Sequence, residues 1–140
     1  MHQGGGDREM ELKGRKISSG VGEGEALVTT QPISFYGGVD ADKGIVVEKG
    51  HELEGKSIAG KVLVFPNGKG STVGSYSLYR LKKNGVAPAA MVNKECEPIV
   101  AVGAIISSIP LVDKLEQDPL KAIKTGQRVK VDGTNAKVSF

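Results

Sequence analysis

The stretch of sequence that decides the fold is residues 61–85, which read KVLVFPNGKGSTVGSYSLYRLKKNG. Its first part is a short, continuous apolar run, which is typical of a strand buried on both faces. A glycine-bracketed turn follows, and a helix is predicted over about residues 72–84, with Gly85 ending it. Ser71 or Thr72 is thereby placed at a helix N-terminus, where unpaired N–H groups and the helix dipole favour negative charge.

Outside this stretch, segments rich in Val and Ile alternate with glycines and predict many strands and few helices. Asp118 and Pro119 suit the first positions of a second short helix, closed by Thr125 and Gly126. Residues 98–106 are almost entirely apolar and suit either a buried strand or a short core helix. The predicted fold class is α/β with a barrel-like or layered sheet. The predicted strands lie at residues 12–17, 25–30, 44–47, 61–65, 89–92, 128–131 and 136–140.

Composition indicates one intracellular domain. The 140 residues include one cysteine and two histidines, which excludes an internal disulfide framework and disfavours an all-protein zinc site. Apolar runs are too short to span a membrane, so we expect a cytoplasmic protein without a membrane partner. Interleaved charges sum to +3 beside only three Tyr and three Phe, which argues against nucleic acid as a partner. Residues 1–10 are predicted to be a flexible extension of a domain covering residues 11–140.

A series of motifs along the chain strongly resembles the aconitase X swivelling-domain family. The series consists of PISFYGGVD at residues 32–40, GKSIAGKVLVFP at residues 55–66, GKGST at residues 68–72, APAA at residues 87–90 and GAI at residues 103–105. Such an ordered series is far more specific than a single glycine loop, and the resemblance covers nearly everything between residues 12 and 138. It implies a swivelling β/β/α domain like the mobile domain of aconitase.

The resemblance also implies an activity, namely that of the small subunit of a two-subunit hydro-lyase. In this family the small subunit closes over a large catalytic subunit that holds an iron–sulfur cluster, expected here to be [4Fe-4S], and the heterodimer dehydrates a hydroxy acid. A chain with one cysteine cannot hold such a cluster, because clusters are bound by several cysteine thiolates. The implied substrate is mevalonate 5-phosphate, giving the trans-anhydro product. Dehydration of cis-3-hydroxy-L-proline is the alternative within the same superfamily.

Ser71 maps onto the family's catalytic base, which takes the substrate proton while the cluster iron carries off the hydroxyl. The resemblance further implies a substrate-binding and cleft-lining role for two glycine-containing segments. Lysine and threonine stand in the second of them where the family commonly has arginine and serine, and a lysine binds as a point charge rather than bidentately. These candidate residues are Gly37, Gly38 and Asp40 in the first segment and Gly68, Lys69, Gly70 and Thr72 in the second.

The helix dipole alone does not make Ser71 a base. A helix terminus contributes about 0.3–1 kcal/mol, or ~2 if partly buried, whereas one pKa unit requires ~1.4 kcal/mol. The pKa of the hydroxyl therefore moves by roughly one unit. We expect the remainder from Lys69, from desolvation on closure, and from cationic groups and iron in the partner.

Several candidates also have an ordinary structural explanation. On loop chemistry alone Ser71 is better explained as a helix cap, and the family resemblance reverses that preference. His51 is expected to be structural or on the surface, and Cys96 to be unreactive because Glu95 and Glu97 flank it. A hypothesis from a different functional class is a non-catalytic module that binds an anion or a phosphopeptide at the same helix terminus.

Overall fold

The computed structural model describes residues 10–140. The extension predicted for residues 1–10 therefore lies outside the described residues except for Met10, whose backbone N–H and C=O pair with those of Phe140 at 3.0 Å. The strands are β1 (Glu11–Lys13), β2 (Arg15–Ser18), β3 (Val21–Val28), β4 (Val39–Asp40), β5 (Ile45–Val46), β6 (Val62–Phe65), β7 (Ala90–Asn93), β8 (Leu111–Asp113), β9 (Arg128–Asp132) and β10 (Lys137–Ser139). The helices are α1 (Phe35–Gly38), α2 (Gly74–Lys83), α3 (Pro98–Ile106) and α4 (Pro119–Ala122).

One large sheet of eight strands has the order β1-β10-β9-β3-β6-β7-β8-β2. Strands β3, β6, β7 and β8 pair in parallel, and the remaining pairs are antiparallel. The long strand β3 belongs to both halves, because residues 21–25 pair with β9 and residues 26–28 pair with β6. Strands β4 and β5 form a separate two-stranded sheet.

The large sheet closes on itself at Gly14. Strands β1 and β2 lie at opposite ends of the strand order, yet Gly14 alone separates them in the chain. The single strand predicted over residues 12–17 is therefore wrong: the chain changes partners there, from β10 to β8. A Cβ at Gly14 would stand 2.4 Å from the carbonyl oxygen of Asp113, so the crossing requires a residue without a side chain.

Alternate residues of β6 enter two separate cores, which gives the predicted three layers. Val62 and Val64 pack between the parallel and antiparallel parts of the sheet, whereas Leu63 and Phe65 pack beneath the helices. The first core also contains Leu12, Ala26, Val129, Val131 and Val138, and the second contains Leu78, Leu81, Val100 and Ala104. The prediction of a β/β/α domain is confirmed.

Helix α2 begins at Gly74, two residues later than predicted. At its other end the amide of Gly85 donates to the Lys82 carbonyl and the amide of Val86 to the Leu81 carbonyl, with Gly85 at φ +73°. These bonds form a Schellman motif, in which a glycine in the left-handed region satisfies the last free carbonyls of a helix. The role predicted for Gly85 in ending the helix is confirmed.

Residues 98–106, left open between strand and helix, form α3. Glu97 caps this helix, because its carboxylate accepts the amides of Ile99 and Val100, both at 2.9 Å. Helix α4 begins where predicted, with Asp118 accepting the Leu120 amide at 3.0 Å, but it ends at Ala122. The predicted closing residue Thr125 instead accepts the amide of Val28 in β3.

Strand β8 was not predicted, although its three residues are fully buried between β7 and β2. Its sequence is too short for a periodic pattern, so its pairing is set by the neighbouring strands. The strand predicted at residues 44–47 is shorter, Ile45–Val46. It pairs with β4 in the small sheet, and Ile45 also forms an isolated antiparallel bridge with Ser57.

A first prediction concerns the contact between α2 and α3. A Cβ at Gly103 would stand 2.6 Å from Cδ1 of the fully buried Leu78 and 3.1 Å from Cα of Ser75. Alanine normally favours a helix interior by about 1 kcal/mol over glycine, but overpacking costs about 1–3 kcal/mol. We expect Gly103→Ala to lower the free energy of unfolding in urea titrations. Val102→Ala, at an exposed neighbouring position, should change it by less than about 0.5 kcal/mol. A stabilised Gly103→Ala protein would contradict this packing.

Candidate functional site

The candidate site lies at the carboxyl ends of the parallel strands β3 and β6, where ligands bind in many α/β sheets. The loops that leave these strands are joined to each other. Ile33 and Gly68 form an isolated parallel bridge, and the Lys69 amide donates to the Ile33 carbonyl at 3.0 Å. Phe35 continues this contact, because its ring meets that of Phe65 edge-on at 5.8 Å between centroids.

An open depression of about 280 Å³ lies between the two glycine-containing segments. It brings together four of the predicted site residues: Gly37, Gly38, Lys69 and Gly70. Its other lining residues are Ser34, Tyr36 and Glu48. The predicted residues Asp40, Gly68, Ser71 and Thr72 do not line it. Only the family resemblance implied that the two segments lie together, because nothing in their spacing along the chain predicts it.

Ser71 is exposed, immediately beyond this depression in the chain. Its Oγ accepts the Val73 amide at 3.1 Å, and its carbonyl accepts the Gly74 amide at 2.9 Å. The placement at the helix N-terminus therefore needs a correction: Ser71 stabilises the tight turn before α2, and Val73 is the N-cap residue, without a side-chain cap bond. Thr72 is also exposed, and its carbonyl accepts the Ser75 amide at 3.3 Å.

Lys69 is ion-paired, which the sequence did not reveal. Its Nζ lies 2.8 Å from Oε2 of Glu48, and both side chains are partly exposed. The positive charge that was expected to help ionise Ser71 is therefore largely balanced in this structure. Glu48 lies 21 residues away in the chain, and no local pattern points to it.

The glycines of the site are required by the backbone and by packing. Gly37 and Gly70 have φ values of +85° and +94°, in the left-handed region that side chains disfavour. A Cβ at Gly70 would stand 2.9 Å from Ser34 Oγ, and one at Gly68 would stand 2.4 Å from Val100 Cγ2. Gly68 thus faces α3 in the interior, so any substrate contact there would involve its backbone.

The side chains of Asp40 and His51 both make hydrogen bonds to backbone groups near them in the structure. The Asp40 carboxylate accepts the amides of Asp42 and Lys43 at 2.8 and 3.2 Å, which shapes the turn between β4 and β5. His51 is buried, its Nδ1 accepts the Leu53 amide, and its Nε2 donates to the Pro32 carbonyl, both at 3.0 Å. His51 is structural, as predicted. A substrate contact at Asp40 remains a prediction.

Cys96 lies beside the buried carboxylate of Asp113, which accepts the Cys96 amide at 2.6 Å and the Arg15 guanidinium at 2.9 and 2.7 Å. Burial, followed by the charges of Asp113 and Glu97, raises the pKa of the Cys96 thiol from 9.0 to about 12. A protonated thiol is a poor nucleophile. The predicted lack of reactivity is supported, with burial rather than the flanking acids as the main cause.

Within residues 10–140, no group of three or more His, Cys, Asp and Glu side chains is arranged to hold a metal ion. In the same part of the chain, none of the helices combines the length and the apolar character needed to cross a membrane.

Comparison with known proteins places these features in a family. The family model described as aconitase X swivel domain matches residues 11–140. A phosphomevalonate dehydratase small subunit from Methanosarcina acetivorans is 62% identical over 131 residues, which cover 94% of this chain and 91% of that protein. One of the same name from Thermococcus kodakarensis is 54% identical, with 94% and 96% covered. A crystal structure of aconitase X from Thermococcus kodakaraensis, in its holo-form, matches with a TM-score of 0.88 and 53% identity, covering 93% of this chain and 97% of that one.

A second prediction follows from the environment of Cys96. Because its folded pKa of about 12 exceeds the ordinary value of 9.0, the thiol stays protonated in the native chain. Labelling by a thiol reagent at pH 8 should be at least about a hundredfold slower in native than in urea-unfolded chain. The free energy of unfolding should be unaffected by this thiol below pH 9.0 and should fall as the pH rises towards 12, because the unfolded chain releases the Cys96 proton first. Equal labelling rates would refute the assignment.

Proposed function

Because the chain belongs to the aconitase X swivel-domain family, we propose that it is the small subunit of a phosphomevalonate dehydratase. The assembled enzyme would convert (R)-mevalonate 5-phosphate into trans-anhydromevalonate 5-phosphate in the archaeal mevalonate pathway. The observation that carries this proposal is the nearly full-length likeness to proteins of that name from several organisms. A small subunit implies a large-subunit partner, and we infer a heterodimer.

We assign an iron–sulfur cluster, [4Fe-4S], to the large subunit. This chain does not fit such a group, because clusters are bound by several thiolates. Its one cysteine is part-buried with a thiol pKa of about 12, and the described residues offer no cluster of metal-ligating side chains. The part of the elimination that removes the hydroxyl group therefore belongs to the partner, and the residues of this chain are left with the proton and with substrate binding.

Ser71 is proposed as the proton acceptor. Dehydration breaks a C–H and a C–O bond, and the carbon proton would pass to Ser71 Oγ as the substrate double bond forms. A serine can act in this way only when ionised. Two features favour its alkoxide: the Val73 amide donates directly to Oγ at 3.1 Å, and the N-terminal turn of α2 lies next to it. Lys69 contributes little charge while it is paired with Glu48. Desolvation by the closing large subunit would by itself raise the pKa of the hydroxyl. The remaining stabilisation would therefore come from cationic groups of the large subunit, whose attraction for the alkoxide grows once water is excluded.

The depression beside Ser71 is proposed to bind the anionic part of the substrate. The Lys69 ammonium has three N–H donors, and one of them is directed to Glu48. The remaining donors, together with the exposed backbone at Gly37 and Gly70, suit a carboxylate or phosphate oxygen. Both groups occur in mevalonate 5-phosphate. The alternative substrate, cis-3-hydroxy-L-proline, offers a carboxylate without a phosphate.

The division of labour between subunits leads to a third prediction. The isolated chain should fold and contain no iron or sulfide after anaerobic reconstitution, and it should not dehydrate either hydroxy acid. Anaerobic co-expression with a cysteine-bearing large subunit should yield a stable complex that dehydrates mevalonate 5-phosphate in preference to cis-3-hydroxy-L-proline. Stoichiometric iron and dehydratase activity in the isolated chain would overturn the two-subunit proposal. A chain that binds anions but recruits no large subunit would support a non-catalytic module instead.

A fourth prediction tests Ser71 directly. In the assembled enzyme Ser71→Ala should lower kcat by about 10²–10⁴-fold, the usual effect of removing a general base. The loss of its hydrogen bond to the Val73 amide should cost only about 1 kcal/mol of stability. Thr72→Ala is the matched control for kcat, since it removes a neighbouring exposed hydroxyl. As a predicted substrate-binding residue Thr72 is expected to affect KM, but its alanine variant should keep most of kcat. Comparing kcat with thermal midpoints separates the roles. A Ser71→Ala complex with nearly normal kcat would leave Ser71 as a turn-stabilising residue only.

A further inference from the structure

We propose that Glu48 is a positioning residue for substrate binding, which acts by holding the Lys69 ammonium at the edge of the depression. This inference rests on the proposed function, because it concerns how the same depression binds an anion. Glu48 was not among the residues that the sequence or the family resemblance pointed to. It lines the depression together with Lys69, Gly70 and the Gly37–Gly38 turn.

Glu48 is anchored to one wall of the depression by its backbone. The amides of Val47 and Glu48 both donate to the Gly38 carbonyl, at 2.9 and 3.3 Å. Its side chain lies over the same turn, since Oε1 is 3.3 Å from where a Cβ on Gly38 would stand. The carboxylate is therefore attached to the segment that carries Gly37 and Gly38, and an alanine at Gly38 would press against it.

Lys69 is anchored to the opposite wall of the depression, and its ion pair with Glu48 spans the depression. Its backbone amide donates to Ile33, and its Nζ meets Glu48 Oε2 at 2.8 Å. A lysine side chain has several freely rotating bonds, so an unpaired Lys69 would lose much rotamer freedom on binding an anion. Glu48 removes that freedom beforehand and leaves two N–H donors for the ligand.

The carboxylate of Glu48 also repels an anionic ligand. Holding the Lys69 ammonium in place therefore favours ligand binding, while the negative charge of Glu48 disfavours it. A glutamine at this position separates the two effects, because its amide oxygen can still accept from Lys69 without the negative charge. If orientation dominates, Glu48→Ala should raise KM in the assembled enzyme by about tenfold, a factor equivalent to about 1.4 kcal/mol, with little change in kcat. Glu48→Gln should recover most of the lost affinity. An unchanged or lower KM in Glu48→Ala would overturn the proposal.

A double-mutant cycle shows whether Glu48 acts through Lys69. In a Lys69→Ala background, Glu48→Ala should raise KM no further, because there is no ammonium left to position. A persistent increase would show a merely structural role and overturn the proposal. Glu54→Ala is the matched control: this carboxylate lies in the same stretch of chain but accepts the Gly50 amide at 3.1 Å and does not line the depression. Its KM should match that of the wild-type enzyme.

A measurement without turnover keeps this inference separate from the proposed function. Inorganic phosphate can be titrated into the full-length chain while the Lys69 ammonium is followed by ¹⁵N-edited NMR. Wild type and Glu48→Gln should show a slowly exchanging ammonium that responds to phosphate, and Glu48→Ala should bind phosphate more weakly. Equal phosphate binding in all three proteins would overturn the positioning role. An assembled enzyme inactive on both hydroxy acids, with the Glu48-dependent phosphate response intact, would instead refute the proposed function alone.

Discussion

Burial of strand β6 on both faces is the constraint on which the rest of the structure depends. All four of its side chains have 0% exposure, and each contributes roughly 1.5–3 kcal/mol when removed from water. A strand of this kind needs a cover on either side. The antiparallel half of the sheet covers Val62 and Val64, and helices α2 and α3 cover Leu63 and Phe65. The three-layer architecture follows from that single requirement.

Strand β6 also sets the position of the candidate site. Residues 66–71 leave β6 at its carboxyl end, and Phe65 holds the α1 segment nearby through its contact with Phe35. The Ile33–Gly68 bridge then joins the two loops. Rigid elements on both sides of a loop keep its functional groups in place, while the loop itself stays exposed. Ser71 is therefore exposed to solvent on a loop whose two ends are anchored in well-packed elements.

Glycines serve close packing here more than ligand access. A Cβ would lie less than 3.0 Å from a neighbouring atom at Gly14, Gly22, Gly24, Gly44, Gly68, Gly70, Gly103 and Gly133, and at most of these the nearest atom is backbone. Such contacts let strands cross and helices approach each other. A glycine-rich sequence alone is thus weak support for a binding loop. Of the glycines that line the depression, Gly37 and Gly70 are those with positive φ.

The sequence by itself determined the local elements: the buried strand β6, the end of α2 at Gly85, and the start of α4 at Asp118. Each of these depends on residues a few positions apart, whose spacing is legible in a linear chain. The family resemblance added the layered fold and the candidate residues. The closure at Gly14, the identity of α3 and the Glu48–Lys69 pair were decided only by the tertiary structure. The closure and the ion pair depend on groups that are distant in sequence, such as Arg15 and Asp113, 98 residues apart, whereas α3 was ambiguous because its nine residues are almost entirely apolar. Such groups meet only after the sheet has closed, because it is packing of the two cores that brings them within reach.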